Sequence, residues 1–200
     1  MSFEDRQDSS VGEHNFANEL TLRYESLENA FVQLRAPEWI DEFRVETFGK
    51  LDIEATAERI GVPVHYEMPV VNGERVIAQG TIQGLGKERG KVPIAIHLNP
   101  RWSADEHNLT FGHELGHLFL ETAANIITAS HRDERVEQFC EFFGRQMVVP
   151  LDQLSTVESV TVEAITELMA KFGTRHTTTI YQLMLAGKMP RKIFLDTGIG

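Results

Sequence analysis

Two hundred residues and 22.6 kDa suit one compact domain, or one domain with short appendages. With 42% hydrophobic, 24% charged and 8% aromatic residues, the composition is that of an ordinary globular protein and excludes a disordered, collagen-like or coiled-coil chain. Nineteen Lys and Arg against thirty Asp and Glu leave a formal charge of -11, which repels phosphate backbones, argues against direct DNA or RNA binding and suits a basic partner. The single Cys140 cannot form an internal disulfide and fits a reducing compartment. Met1–Gly12 is acidic and polar, without the basic and apolar regions of a secretory signal, and no apolar run reaches membrane-span length. These features predict a soluble cytoplasmic protein with no membrane partner.

Residues 1–13 are polar and predict disorder. Phe16, Leu20, Tyr24, Leu27 and Phe31 recur at helical spacing and predict a helix from Asn15 to about Arg35, ended by Pro37. A second helix runs from about Asp52 to Gly61, and Val62–Glu67 and Glu74–Gln83 read as strands. Gly84–Gly90 is a glycine-rich connection without the Gly-Lys-Ser/Thr ending of a phosphate loop, so it reads as a hairpin loop. Val92–Leu98 is the next strand, with Ile94, Ile96 and Leu98 on one face. Ser103 and Glu106 form a capping box that starts a helix running to about Thr122. That helix is apolar on nearly every side and should be buried, and its Gly112 and Gly116 predict a neighbour packed close against it. Asp133–Val149 is a helix with the stripe Val136, Phe139, Cys140, Phe143 and Met147, stopped by Pro150. Thr161–Phe172 and Thr177–Ala186 are helices closed by Gly173 and Gly187, and the tail after Pro190 reads as irregular. The order predicts an α+β fold, organised as a disordered stretch 1–13, an N-terminal helical extension 14–50 and one domain over 51–200.

The chemistry centres on His113-Glu114-Leu115-Gly116-His117 inside the buried helix. Four residues advance a helix by about 400°, so both imidazoles leave one face, one turn apart, and can reach a common metal ion. Glu114 stands about 100° round from His113, where it can serve as a general base without binding the ion. Two buried imidazoles and a carboxylate are costly on an apolar helix unless a cation compensates them. The third ligand is less direct. Leu120 and Ala123 occupy the positions where a metzincin has Gly and His, which excludes that class. Glu121 lies about 12 Å along the axis from His113, too far to share its ion. His107 reads as solvated at the helix start. Glu137, one turn from Glu141 on the next helix among apolar neighbours, is the leading candidate, with His131 in the preceding loop as the alternative.

Leu109-Thr110-Phe111-Gly112-His113-Glu114-Leu115-Gly116-His117 followed by Glu137-Gln138-Phe139-Cys140-Glu141 and Met147-Val148-Val149-Pro150 resembles the gluzincin metallopeptidases of the ImmA/IrrE family. That family shows Phe-Thr-x-x-His-Glu-Leu-Gly-His, then Glu-x-x-Ala-Asn and a Met-Pro ending. The likeness spans about residues 52–187; Cys140 replaces the usual Ala, and Glu141 the usual Asn or Asp. The resemblance implies a minimal zincin-like, thermolysin-like domain, its small sheet packed by an edge strand on the active-site helix. It implies His113, His117 and Glu137 as ligands of Zn²⁺, with Mn²⁺ as the alternative ion, and Glu114 as the catalytic base. Val92–Leu98, which leads into the helix, is the candidate edge strand for a peptide substrate. His97 reads as exposed on that strand, His176 and Tyr181 are weak candidates for stabilising an oxyanion, and Arg175 with His176 reads as a solvated helix start. Glu141 could accept a hydrogen bond from a ligand histidine. The implied function is metalloendopeptidase cleavage of a basic helix-turn-helix repressor, which derepresses stress-response or mobile-element genes. The other readings are an antirepressor that acts by binding around a structural zinc, and a hydrolase of another amide.

Overall fold

The computed structural model describes residues 26–71, 73–86, 89–126 and 134–190. The expectations for residues 1–13, for the first part of the N-terminal helix, for His131 and for the tail after Pro190 fall outside the described residues. The described chain opens with α1 (Leu27–Gln33), whose N-cap Ser26 accepts a hydrogen bond from the Asn29 N–H at 3.2 Å. Pro37 does not simply end this helix. The chain breaks at Arg35, with φ 62°, and Pro37 opens α2 (Ala36–Phe43), where a residue without an N–H is tolerated. A hairpin follows, β1 (Glu46–Thr47) and β2 (Lys50–Leu51). Helix α3 (Ile53–Ile60) is capped by Asp52, which accepts from the Ala55 N–H at 3.0 Å, and closed by Gly61 in the left-handed region.

The strand expected over residues 74–83 is two elements. A two-residue strand β5 (Glu74–Arg75) pairs antiparallel with β4 (Val70–Val71), and β6 (Gly80–Gln83) belongs to another sheet. Asn99 takes up the segment between them: its side chain donates to the Ala78 carbonyl at 2.9 Å and its backbone N–H to the Gln79 carbonyl at 2.9 Å. The main sheet has the order β3 (Val64–His65), β7 (Ala95–Leu98), β6, with β3–β7 parallel and β7–β6 antiparallel. This overturns the expectation that the strand leading into the motif helix is the edge strand. Strand β7 is central and buried at all four positions, and β6 forms the free edge. Nearness in the chain to a helix does not decide which strand borders it; the later strand inserted between two earlier ones. His97 is accordingly buried, with its Nδ1 3.0 Å from the Glu67 carbonyl oxygen.

Helix α4 (Ala104–Thr122) begins with the full capping box of Ser103 and Glu106. It crosses α5 (Glu134–Val148) where three glycines meet. A Cβ at Gly112 would stand 2.8 Å from the Gly144 Cα, and one at Gly116 2.8 Å from the Cys140 Cα. The mid-helix glycines therefore lower helix propensity so that the two backbones can approach. Phe31, Trp39, Phe119, Phe139 and Phe143 form an aromatic cluster around the crossing, with neighbouring ring centroids 5.3 to 6.3 Å apart; Phe142 joins it 5.1 Å from the Phe31 ring and Phe43 4.8 Å from the Trp39 ring. The core thus takes residues from α1 and α2 as well as from α4 and α5. A 3-10 turn (Asp152–Leu154), α6 (Val162–Phe172) and α7 (His176–Leu185) complete the described chain. Buried Gln182 of α7 donates from its Nε2 to the Val149 carbonyl at 2.6 Å and the Arg145 carbonyl at 3.1 Å, which satisfies carbonyls at the end of α5. Among the described residues, no helix is long and apolar enough to cross a membrane.

Candidate active site

Helix α4 carries His113 and His117 one turn apart, and the close crossing brings α5 and its Glu137 in front of them. The three side chains offer ligand atoms that all lie within 4.8 Å of one another. The two imidazole Nε2 atoms are 3.2 Å apart; Glu137 Oε2 is 3.2 Å from the His113 Nε2, and Glu137 Oε1 is 3.5 Å from the His117 Nε2. Ligands at about 2.0–2.1 Å from a tetrahedral ion stand about 3.3 Å from each other. Two nitrogens and a carboxylate at these separations therefore fit a divalent ion such as Zn²⁺, with one position left for another ligand. Burial opposes protonation of His113, but the Glu137 carboxylate and the charges of Glu114 and Glu141 outweigh it, so its pKa is raised. The concentration of negative charge favours a cation at this point.

Glu114 is 7% exposed and sits beside the triad on α4. Burial, opposed by the His113 charge, pushes its pKa up to about 7. Its carboxylate is hydrogen-bonded to the backbone N–H of Ile82 on β6. The register explains why that N–H is on offer. The Asn99 N–H bonds to the Gln79 carbonyl, so Gln79, Thr81 and Gln83 turn their backbone groups toward β7. Gly80 and Ile82 then point theirs outward. The outer edge of β6 thus faces the motif helix.

A cleft of about 600 Å³ opens over the triad. Gln79, Gly80 and Thr81 line it from β6 and the residue before it, Thr110 and His113 from α4, and Glu137 and Arg145 from α5. Gly80 has no room for a side chain, since a Cβ there would lie 2.4 Å from the Thr110 Cγ2. The remaining expectations divide. Glu141 also lines the cleft, exposed and ion-paired with Arg145. His176 is exposed and outside the lining, and Tyr181 lies beneath the Arg145 guanidinium, 4.1 Å from its ring centroid. Arg175 is more than a solvated helix start: it lines the cleft and pairs with Asp105 and Glu106 in the first turn of α4. His107 is half-buried, its Nε2 2.8 Å from the Asn99 carbonyl oxygen. Sequence reasoning placed a strand over β6 but missed its place at the cleft, as it missed those of Arg145 and Arg175. Only the glycine at position 80 hinted at a close backbone approach.

The profile of a peptidase family, described as the IrrE N-terminal-like domain, matches residues 57–184. The comparison with curated proteins finds no match. The matched span runs from the end of α3 through α7 and contains the triad, Glu114 and the whole cleft lining.

Proposed function

Since the chain belongs to the peptidase family of the IrrE N-terminal-like domain, we propose that it is a zinc-dependent endopeptidase that cuts a basic helix-turn-helix repressor in the cytoplasm. The observation that carries the reading is the convergence of His113, His117 and Glu137 beside a buried carboxylate, in a cleft bordered by an open strand edge. In this reading His113 Nε2, His117 Nε2 and Glu137 hold the ion. Zn²⁺, when bound, supplies Lewis acidity toward a carbonyl oxygen and lowers the pKa of water.

The protein's own groups then divide the work. An extended peptide pairs with the outward N–H and C=O of Gly80, which orients its scissile bond along the cleft. Glu114 takes a proton from the attacking water on its carboxylate and returns it to the departing amine nitrogen. Burial raises the pKa of this carboxyl in the metal-free site, and a bound cation would lower it again. The Ile82 N–H holds the carboxylate in place between the two transfers. A net charge of -11 favours a basic substrate, and the lone, buried Cys140 agrees with a reducing compartment.

The test is metal content and peptide cleavage by three proteins. Wild type holds one zinc per chain and cleaves. Glu137→Ala loses the zinc; full occupancy in that variant would remove Glu137 from the ligand set. Glu114→Gln keeps the zinc and loses cleavage by at least about 100-fold. Repressor inactivation that persists in Glu114→Gln would establish the binding-only antirepressor instead.

A further inference from the structure

Glu121 follows Glu114 by seven residues on α4. Seven residues turn a helix by about 700°, so the two carboxylates share one stripe, about 10.5 Å apart along the axis. Glu121 is 1% exposed and lies between buried Leu118 and Leu120 and the helix end. A buried carboxylate is costly unless hydrogen-bonded, and an apolar side chain would serve packing better. Its Oε2 accepts a hydrogen bond from the Gly86 N–H at 2.8 Å. Glu114, two turns earlier, takes the Ile82 N–H. The motif helix therefore grips β6 and the turn that follows it at two points, four residues apart in the chain.

The segment between those points has little freedom. Gly84 has φ +83°, and a Cβ there would stand 2.8 Å from the Ile94 Cα. Leu85 is buried in the core, and Gly86 has φ +57°. Chain geometry thus carries a displacement at Gly86 back to Ile82 and to the Gly80 edge of the cleft.

We propose that Glu121 is a positioning residue. It pins the Gly84–Gly86 turn to the motif helix and so sets where the Ile82 N–H meets Glu114 and where Gly80 borders the cleft. Its effect on catalysis rests on the peptidase reading above; its effect on β6 does not. Glu121 holds no metal in this role, so the His113, His117 and Glu137 site survives its loss.

The experiment compares full-length, zinc-loaded wild type with Glu121→Ala and Glu121→Gln by amide hydrogen exchange, zinc affinity and peptide kinetics. In Glu121→Ala, protection at Gly86 and Ile82 falls roughly tenfold or more relative to Leu115 inside α4. Zinc affinity stays within about threefold of wild type, while KM rises and kcat falls through the displaced edge and base. Glu121→Gln, whose amide oxygen still accepts from Gly86, recovers the protection. If Glu121→Ala does not fold, Glu121→Met fills the space without an acceptor and gives the same readouts. Unchanged protection at Gly86 and Ile82, or an equal fall throughout α4, would overturn the proposal. A wild type that cleaves no peptide, with the protection changes as stated, would sink the peptidase reading and leave the positioning role standing.

Discussion

Glu114 is placed against its own electrostatic preference. Burial raises its pKa from 4.5 to about 7, and the Glu137 charge adds to this, against the opposing influence of His113 and the Ile82 N–H. A carboxyl whose pKa is raised in the folded chain binds its proton more tightly there than in the unfolded chain. Stability therefore falls as pH rises from about 4.5 to about 7 and stays lower above that range. In the chelated protein, Glu114→Gln should be more stable than wild type at pH 8, by on the order of 2–3 kcal/mol, and equal to it near pH 4. Chemical denaturation at both pH values checks this; a variant no more stable than wild type at pH 8 would contradict it. If Glu114 is the general base proposed above, the same substitution should remove cleavage, and one residue would hold opposite roles in folding and in chemistry. The residue types of this centre were legible because a four-residue spacing on a helix is a local fact. The Ile82 partner was not, since it depends on which backbone groups a β register turns outward.

At the scale of elements, the crossing of α4 and α5 decides the geometry of the site. A Cβ at Gly144 would lie 2.7 Å from the His113 N. That contact is backbone, so no side chain can swing away to make room. Gly144→Ala should cost about 1–3 kcal/mol through overpacking, offset in part by better helix propensity. It should also weaken zinc binding, because the helices that carry His113 and Glu137 are forced apart. Thermal unfolding and a zinc titration measure the two effects; wild-type affinity in Gly144→Ala would separate the crossing from the site. Gly112 and Gly116 announced a close neighbour in the sequence, but nothing there identified Gly144 as the residue opposite. The helices themselves were readable from capping residues and apolar spacing. The exceptions were α2, where Pro37 read as a stop and serves as a start, and the exact partners at each helix end.

For the whole molecule, the sheet was the least legible part. Its strands are two to four residues long, too short for alternation to register, and their pairing joins residues far apart in the chain. The same holds for Arg175, whose carboxylate partner Asp105 is 70 residues away. Net charge, by contrast, is a global quantity read directly from composition. If the -11 charge draws in a basic repressor, salt should lower kcat/KM for that folded substrate, because charges more than about 8 Å apart are screened at physiological ionic strength. A short neutral peptide, recognised along β6 alone, should show little salt dependence. Parallel assays at low and high salt test this, and an equal response from both substrates would assign the salt effect to the cleft instead of to docking.

The aromatic cluster also makes the protein its own optical probe. The chain has two tryptophans. Trp39 places its indole 5.9 Å from the Phe119 ring and 5.6 Å from the Phe143 ring, one on each of the crossing helices. Trp102, 37% exposed, stands just ahead of the cap of the motif helix. Trp39 is partly buried, so the emission of the two residues should separate into a bluer component less open to iodide and a redder one more open to it. Parting of the two helices would then be read from the first, and events at the entrance to the motif helix from the second, without any attached dye.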